Sequence, residues 1–382
     1  MSSPTSSSST QGALGKRKAE HIRIAVEKDV DHTWCEPFFN SVMLVHQPFP
    51  GLSATDVDLS VKFLDYDLNA PLMITGMTGG TDEATRINEA LARLASDFGI
   101  AIGVGSQRPM IESNFEEKVV ASYKVVRNVA RDVPVIGNLG ANTLAKLDLD
   151  VVVRAVEEIG ADAIAIHFNP AQEVVQPEGD VDFGASIAEK IVGLSKALDK
   201  PVVLKEVGHG LTKEFVRLFR GLGITHFDVA GACGTNWALV EAYRCGDDAQ
   251  RAAIGFHLAS WGTPTPASIV EARTAAPDAF VIASGGVWNG IKAAKSLALG
   301  ADLVGIAKPV LKALLIGGLE EARRYLRTYL DVLRTALFLT GSDRVSEIPR
   351  KPIIILDPLK TYLEQRGISA SEYSRASRGR SP

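Results

Sequence analysis

From residue 71 onward the chain alternates short, β-type apolar runs with segments of helical period, and this alternation constrains the fold more than any other feature. Eight runs can be counted: Pro71 to Gly76, Gly99 to Val104, Pro134 to Asn138, Asp162 to His167, Pro201 to Glu206, Ile224 to Ala230, Ala279 to Ser284 and Asp302 to Ala307. Between them lie helix-period segments such as Glu83 to Asp97, Val151 to Ile159, Phe183 to Leu198, Lys213 to Leu222 and Pro266 to Ala275. Runs such as Ala161-Asp162-Ala163-Ile164-Ala165-Ile166 are nearly continuous in apolar character, as a strand covered on both faces requires. Eight βα units over about 240 residues match one (β/α)8 TIM barrel, an α/β fold. A doubly wound open sheet is the structural alternative, but it carries a single glycine-rich fingerprint near the chain start. Here glycine-rich turns recur after many strands. The reading is one barrel domain over 16–368, strands at about 71–307, between unstructured tails at 1–15 and 369–382.

Composition removes several function classes. With 41 basic and 45 acidic residues the net charge is -4, which gives no field for nucleic acid or a membrane surface. The longest apolar runs fall far short of the roughly 20 residues a membrane-spanning helix needs, so no insertion is expected. Three cysteines, Cys35, Cys233 and Cys245, contain no CxxC pair, which argues against a disulfide framework or structural zinc and fits a reducing cytoplasm. The serine-rich start has neither an apolar h-region nor an arginine before residue 17, so it reads as no export signal. Lys16-Arg17-Lys18 is a weak match to a nuclear signal.

A barrel presents its reactive groups at the C-terminal ends of its strands. In chain order these ends read Gly76-Met77-Thr78-Gly79-Gly80, Gly105-Ser106-Gln107-Arg108, Asn138-Leu139-Gly140, His167-Phe168-Asn169-Pro170-Ala171-Gln172-Glu173, Lys205-Glu206-Val207-Gly208 and Gly231-Ala232-Cys233-Gly234-Thr235-Asn236-Trp237. The last two strands finish in Ser284-Gly285-Gly286 and Gly305-Ile306-Ala307-Lys308, each running into a helical pattern. Paired glycine turns before helix starts suit a phosphate, because bare N–H groups and the helix dipole face it together. One such turn alone would be an ordinary tight turn. Lys205 ends an apolar strand, where an ammonium needs either a structural partner, here Glu206, or a ligand. Asn169, Gln172 and Glu173 offer one carboxylate, too little for a closed metal cage but enough for Mg2+ completed by water and substrate phosphates, whereas the alternative is a capped polar loop. Of His21, His46 and His167, only His167 stands at a strand end. The long segment after the sixth strand, through Trp261-Gly262-Thr263-Pro264-Thr265, reads as a lid or pocket wall.

Taken in order, these strings closely resemble the type 2 isopentenyl-diphosphate isomerases, from Arg17-Lys18-Ala19-Glu20-His21-Ile22 almost to Arg366-Gly367. The most specific pieces are Arg17-Lys18-x-x-His21-Ile22, Met77-Thr78-Gly79-Gly80, Gly105-Ser106-Gln107-Arg108, Asn169-x-x-Gln172-Glu173 and Lys205-Glu206-Val207-Gly208. The resemblance implies an FMN site from Gly76, Met77, Thr78, Gly79, Ser106, Asn138, Lys205, Ala230, Thr235, Gly286, Val287, Trp288, Ala307 and Lys308. It further implies a diphosphate site from Arg17, Lys18, Ser106, Gln107, Arg108 and His167, with Gln172 and His167 at the reacting alkene and Glu173 on Mg2+. The implied activity is interconversion of isopentenyl and dimethylallyl diphosphate, reduced FMN acting as acid and base and NADPH serving only as its reductant. The family's tetramers or octamers imply a homo-oligomer, for which the helical stretch Leu311 to Leu339 is a candidate interface. The N-terminal segment is expected to fold over the diphosphate. Two positions depart from the family pattern: Cys233 stands in a usual Gly-Gly-Thr run, and Trp288 replaces a usual arginine. The rival readings are a barrel oxidase or dehydrogenase acting on 2-hydroxy acids, and a flavin-binding protein without activity.

Overall fold

The computed structural model describes residues 7–380. Its centre is a closed barrel of eight parallel strands, labelled β1 (Leu72–Ile74), β2 (Ala101–Gly103), β3 (Val135–Gly140), β4 (Ala163–His167), β5 (Val202–Lys205), β6 (His226–Asp228), β7 (Phe280–Ala283) and β8 (Leu303–Ile306). Seven strands fall inside the apolar runs, and β3 continues past its run, from Asn138 to Gly140. Closure comes from β8 pairing with β1, Val304 opposite Leu72. Most strand residues are buried on both faces, which is why alternation was absent from the sequence.

The interior of the barrel is filled by Met73, Ala101, Ile136, Ala163, Ala165, Val203, Phe280, Ile282 and Leu303. Its N-terminal end is plugged by the hairpin Val61–Phe63 and Tyr66–Leu68, whose Phe63 ring meets Phe280 at 4.9 Å. Such fully buried aromatic and aliphatic groups contribute about 1.5–3 kcal/mol each. The helices begin and end where the local chemistry dictates. Asp82–Phe98 starts at Thr81, whose hydroxyl accepts from Ala84 N at 3.1 Å, and ends at Gly99, left-handed at φ 60°.

The barrel repeats one device on opposite sides. Asp162 accepts from Val135 N and pairs with Arg127, which also donates to the carbonyls of Gly160 and Val133. Asp302 accepts from Val281 N and pairs with Arg273, which donates to Gly300 and Ala279. Both aspartates follow Gly-Ala, and both clamps sit at strand starts, away from the mouth.

Three expectations need correction. Ser7–Glu27 is one helix, so residues 7–15 are helical rather than unstructured; residues 1–6 lie outside the described residues. At the other end Ala370–Arg375 is helical, and Arg378 is 2 % exposed because its guanidinium serves the carbonyls of Ala298, Ser374 and Ala376. Residues 381–382 lie outside the description. Finally, Cys35 and Cys233 are paired as a disulfide with Cα atoms 5.1 Å apart, while Cys245 is free and buried. Among the described residues no helix is long and apolar enough to cross a membrane.

Candidate active site

A cavity of about 240 Å3 opens at the C-terminal ends of the strands. Strand ends form its floor and sides, and the N-terminal helix covers it with Arg17, Lys18, His21, Ile22 and Ala25. Arg17, Lys18, Ser106, Arg108, His167, Gln172 and Glu173 therefore converge on one space, together with Gly76, Met77, Asn138, Lys205, Ala230, Thr235, Gly286, Trp288, Ala307 and Lys308.

Four sequence candidates lie behind the wall. Gln107 is 1 % exposed and its amide is consumed, donating to Ala155 O at 2.7 Å and accepting from Asn138 N at 3.0 Å, so it braces β3 instead of meeting a substrate. Thr78 is 1 % exposed, and its carbonyl accepts from Gly105 N at 3.0 Å and Asn88 Nδ2 at 3.3 Å. Gly79 turns its carbonyl to Lys18 and packs on Tyr123. Val287 is fully buried in the shell between barrel and helices.

The cover is rich in charge. Lys18 Nζ donates to the carbonyls of Gly79 and Ser106, the latter at 3.3 Å, and to the Tyr123 hydroxyl at 3.0 Å, with no carboxylate among these partners. Tyr123 in turn donates to Ser106 O at 2.7 Å. Burial, with Arg17 adjacent, lowers the Lys18 ammonium to about 7. Arg17 lies 3.3 Å from Glu178, and Arg108 holds Glu112 at 2.6 Å.

Beneath the cover, Gln172 donates to Glu241 Oε1 at 2.7 Å and accepts from Asn169 Nδ2 at 3.1 Å, which fixes its amide plane. Glu241 is fully buried, 2.8 Å from His21 Nε2 and paired with Arg244. Burial opposes its charge, yet His21, Arg244 and Gln172 together hold its carboxyl below the ordinary value. Sequence reasoning missed Glu241. It sits in the helix Trp237–Arg244 within the long post-β6 segment, which does form a pocket wall through Trp237, and only its burial distinguishes it from a surface helix carboxylate.

Glu173 accepts from Asn169 Nδ2 at 2.8 Å on one oxygen, and from Asp180 N at 2.7 Å on the other. No group of three His, Cys, Asp or Glu among the described residues gathers for a metal. The donor set fits only a cation that takes one carboxylate and finds its remaining oxygens in water and ligand.

At the end of β4, His167 Nδ1 lies 2.9 Å from Asn138 Oδ1. Asn138 Nδ2 donates to Val104 O at 3.2 Å, so its oxygen faces the imidazole and assigns the proton to Nδ1. Burial and the charge of Lys205 push His167 down to about 3, leaving a neutral ring at neutral pH. The structural alternative for Lys205 is not realised: its ammonium donates to the Glu206 carbonyl at 2.8 Å, while the Glu206 carboxylate accepts from Val207, Gly208 and His209 N–H at 2.6, 2.7 and 2.6 Å.

The far side is backbone. Gly285 and Gly286 have φ of 91° and 82°, and a Cβ on Gly286 would collide with the Cys233 carbonyl. Cys233, the side chain that departs from the Gly-Gly-Thr run, turns its sulfur to Cys35 and is not among the lining residues. Trp288 does line the pocket. Near it, Lys292 reaches Glu36 at 2.7 Å, and Lys308 is held by both oxygens of Asp31 at 2.8 and 2.7 Å.

The fold is a (β/α)8 barrel with a cavity at the C-terminal ends of its strands, charged on one wall and glycine-lined on the other. Residues 259–355 match the family described as FMN-dependent dehydrogenase. The chain also superposes on a mandelate oxidase mutant with the C4a-OH-FMN adduct, at TM-score 0.63 and 18% identity, covering 88% of this chain and 95% of that one. A second mandelate oxidase mutant, with (S)-mandelic acid, gives 0.59 and 18% over 91% and 98%. Such likeness carries the fold. Sequence goes further. An isopentenyl-diphosphate delta-isomerase of Sulfurisphaera tokodaii is 41% identical over 363 residues, 94% of this chain and 97% of the relative. One of Ignicoccus hospitalis is 43% identical over 357 residues, 92% and 96%. The chain belongs to the isopentenyl-diphosphate delta-isomerase family and is an enzyme of that family.

Proposed function

We propose that the chain interconverts isopentenyl and dimethylallyl diphosphate by an allylic 1,3-proton shift, with reduced FMN on the glycine wall and Mg2+ at the substrate diphosphate. The observation that carries this reading is the convergence of Arg17, Lys18 and Arg108 on a cavity whose opposite wall is glycine backbone. The first face suits a diphosphate through forked and point-charge donors. The second suits the phosphate and the flat ring system of a flavin, since a side chain at Gly286 would fill the approach.

Lys18, Arg17, Arg108 and Ser106 hold the diphosphate. Glu173 would be the carboxylate that holds Mg2+ there, with water and the diphosphate supplying the other oxygens. Gln172, locked between Glu241 and Asn169, keeps its remaining N–H on the substrate side, and neutral His167 supplies a ring lone pair there without adding charge. Lys205, which lines the cavity, would hold its ammonium against a bound flavin and stabilise negative charge on the reduced ring. Bound reduced FMN supplies the proton donor and acceptor that an unactivated alkene requires, with NADPH as reductant. The helical cover excludes water from the allylic carbons.

Purified protein with FMN, Mg2+ and a reductant, without oxygen, should convert either five-carbon diphosphate into the other. A bound, reducible flavin with no conversion would contradict the reading.

A further inference from the structure

Asp228, at the end of β6, is 1 % exposed and takes no part in the chemistry above. It lies directly opposite Lys205 in the β5–β6 register. One carboxylate oxygen is saturated, accepting from Ser284 Oγ at 2.6 Å and Ala230 N at 3.2 Å. The other, Oδ2, is buried without a hydrogen-bond partner and lies 4.0 Å from Lys205 Nζ. A second, small cavity of about 20 Å3 lies here, lined by Lys205, Asp228, Thr75 and Asn138. Most of its lining is apolar, with Met73, Ile136, Val203 and Ile282 around these polar groups. Lys205 borders both this cavity and the large pocket above.

The titratable groups around Lys205 are few. His167 faces it from β4 and is neutral. Glu206, next in the chain, spends its carboxylate on three backbone N–H groups. Asp228 is the remaining carboxylate, and burial raises its proton affinity while Lys205, Ser284 and Ala230 oppose that rise. An ammonium in such a site needs a counter-charge to stay protonated.

We propose that Asp228 is a positioning residue: it supplies the buried counter-charge that keeps Lys205 an ammonium at the pocket floor, and it acts on the reaction only through Lys205. Ser284 fixes the carboxylate so that its free oxygen faces the lysine. This deepens the functional reading and rests on it for the role of Lys205, but the charge relation itself is testable without flavin.

The test is competitive acetylation of the full chain with acetic anhydride from pH 6 to 11, read at Lys205 by mass spectrometry, since only the neutral amine reacts. In Asp228→Asn the midpoint of Lys205 labelling should fall by about one pH unit or more. Ser284→Ala, which keeps the carboxylate but removes its donor, should shift the midpoint the same way by less, and serves if the first variant fails to fold. Unchanged midpoints in the folded variants would overturn the inference. Added FMN should protect Lys205 in the unsubstituted chain; absence of protection would count against the flavin reading and leave the Asp228–Lys205 relation standing.

Discussion

The two walls of the pocket are built from different materials. The cover, from Arg17 through His21 to Glu241, is held by polar side chains: Arg17 meets Glu178, His21 and Arg244 meet Glu241, and Lys18 meets Tyr123. The β7–β8 side is held by backbone shape, with glycines at positive φ packed against main chain. A charge-built wall responds to pH and to loss of single functional groups. A backbone-built wall is indifferent to both and fails when a methyl group is added.

The largest effect should come from breaking the backbone wall. Gly286→Ala places Cβ against the Cys233 carbonyl at a left-handed φ, a strain of about 1–3 kcal/mol before any ligand is lost. The variant should fold but lose FMN on gel filtration, and retention of the yellow cofactor would show that the glycine is only a turn.

Next comes the charged wall. Lys18→Ala should raise KM for the diphosphate on the order of 100-fold with a smaller change in kcat and no loss of FMN. The same lysine gives a pH signature. Its ammonium is held to about 7 in the free protein, and a bound anion favours the charged form, so affinity should be highest below about 7 and fall as pH rises above it. Calorimetry at pH 8 in two buffers of different ionisation enthalpy should detect proton uptake on diphosphate binding; no uptake would remove Lys18 from the anion contact.

The smallest expected effect is Tyr123→Phe, which deletes one donor and acceptor from the Lys18 cradle and leaves the buried ring in place. A rise in KM of about 3- to 10-fold at unchanged kcat is expected. A fall in kcat alone would mean that Tyr123 shapes the barrel rather than the lysine.

This division also explains what the sequence disclosed. Most of the strands were visible because they lie in largely apolar runs, although β6 itself reads His226-Phe227-Asp228, and the glycine wall because Ser284-Gly285-Gly286 and Gly305 to Lys308 stand at strand ends. Glu241 was invisible: it is a carboxylate in a helix, made functional only by packing that brings His21 and Gln172 to it from 220 and 69 residues away. Gln107 and Thr78 show the opposite case. They belong to strings that do reach the mouth, yet the turn points their side chains into the wall, a direction that string order does not encode. The pairing of Cys35 with Cys233, 198 residues apart, is likewise a product of the loop before the barrel folding back onto the β6 end. The ordered termini were missed because Arg378 and the first helix are anchored by tertiary contacts, while their composition is that of a tail.

The central claim, that both walls serve one allylic proton transfer, is tested most directly by turnover of isopentenyl diphosphate in D2O with FMN, Mg2+ and reductant under anaerobic conditions. The account predicts dimethylallyl diphosphate carrying solvent deuterium in a methyl group. Unlabelled, unconverted substrate recovered from protein whose flavin is bound and fully reduced would contradict it.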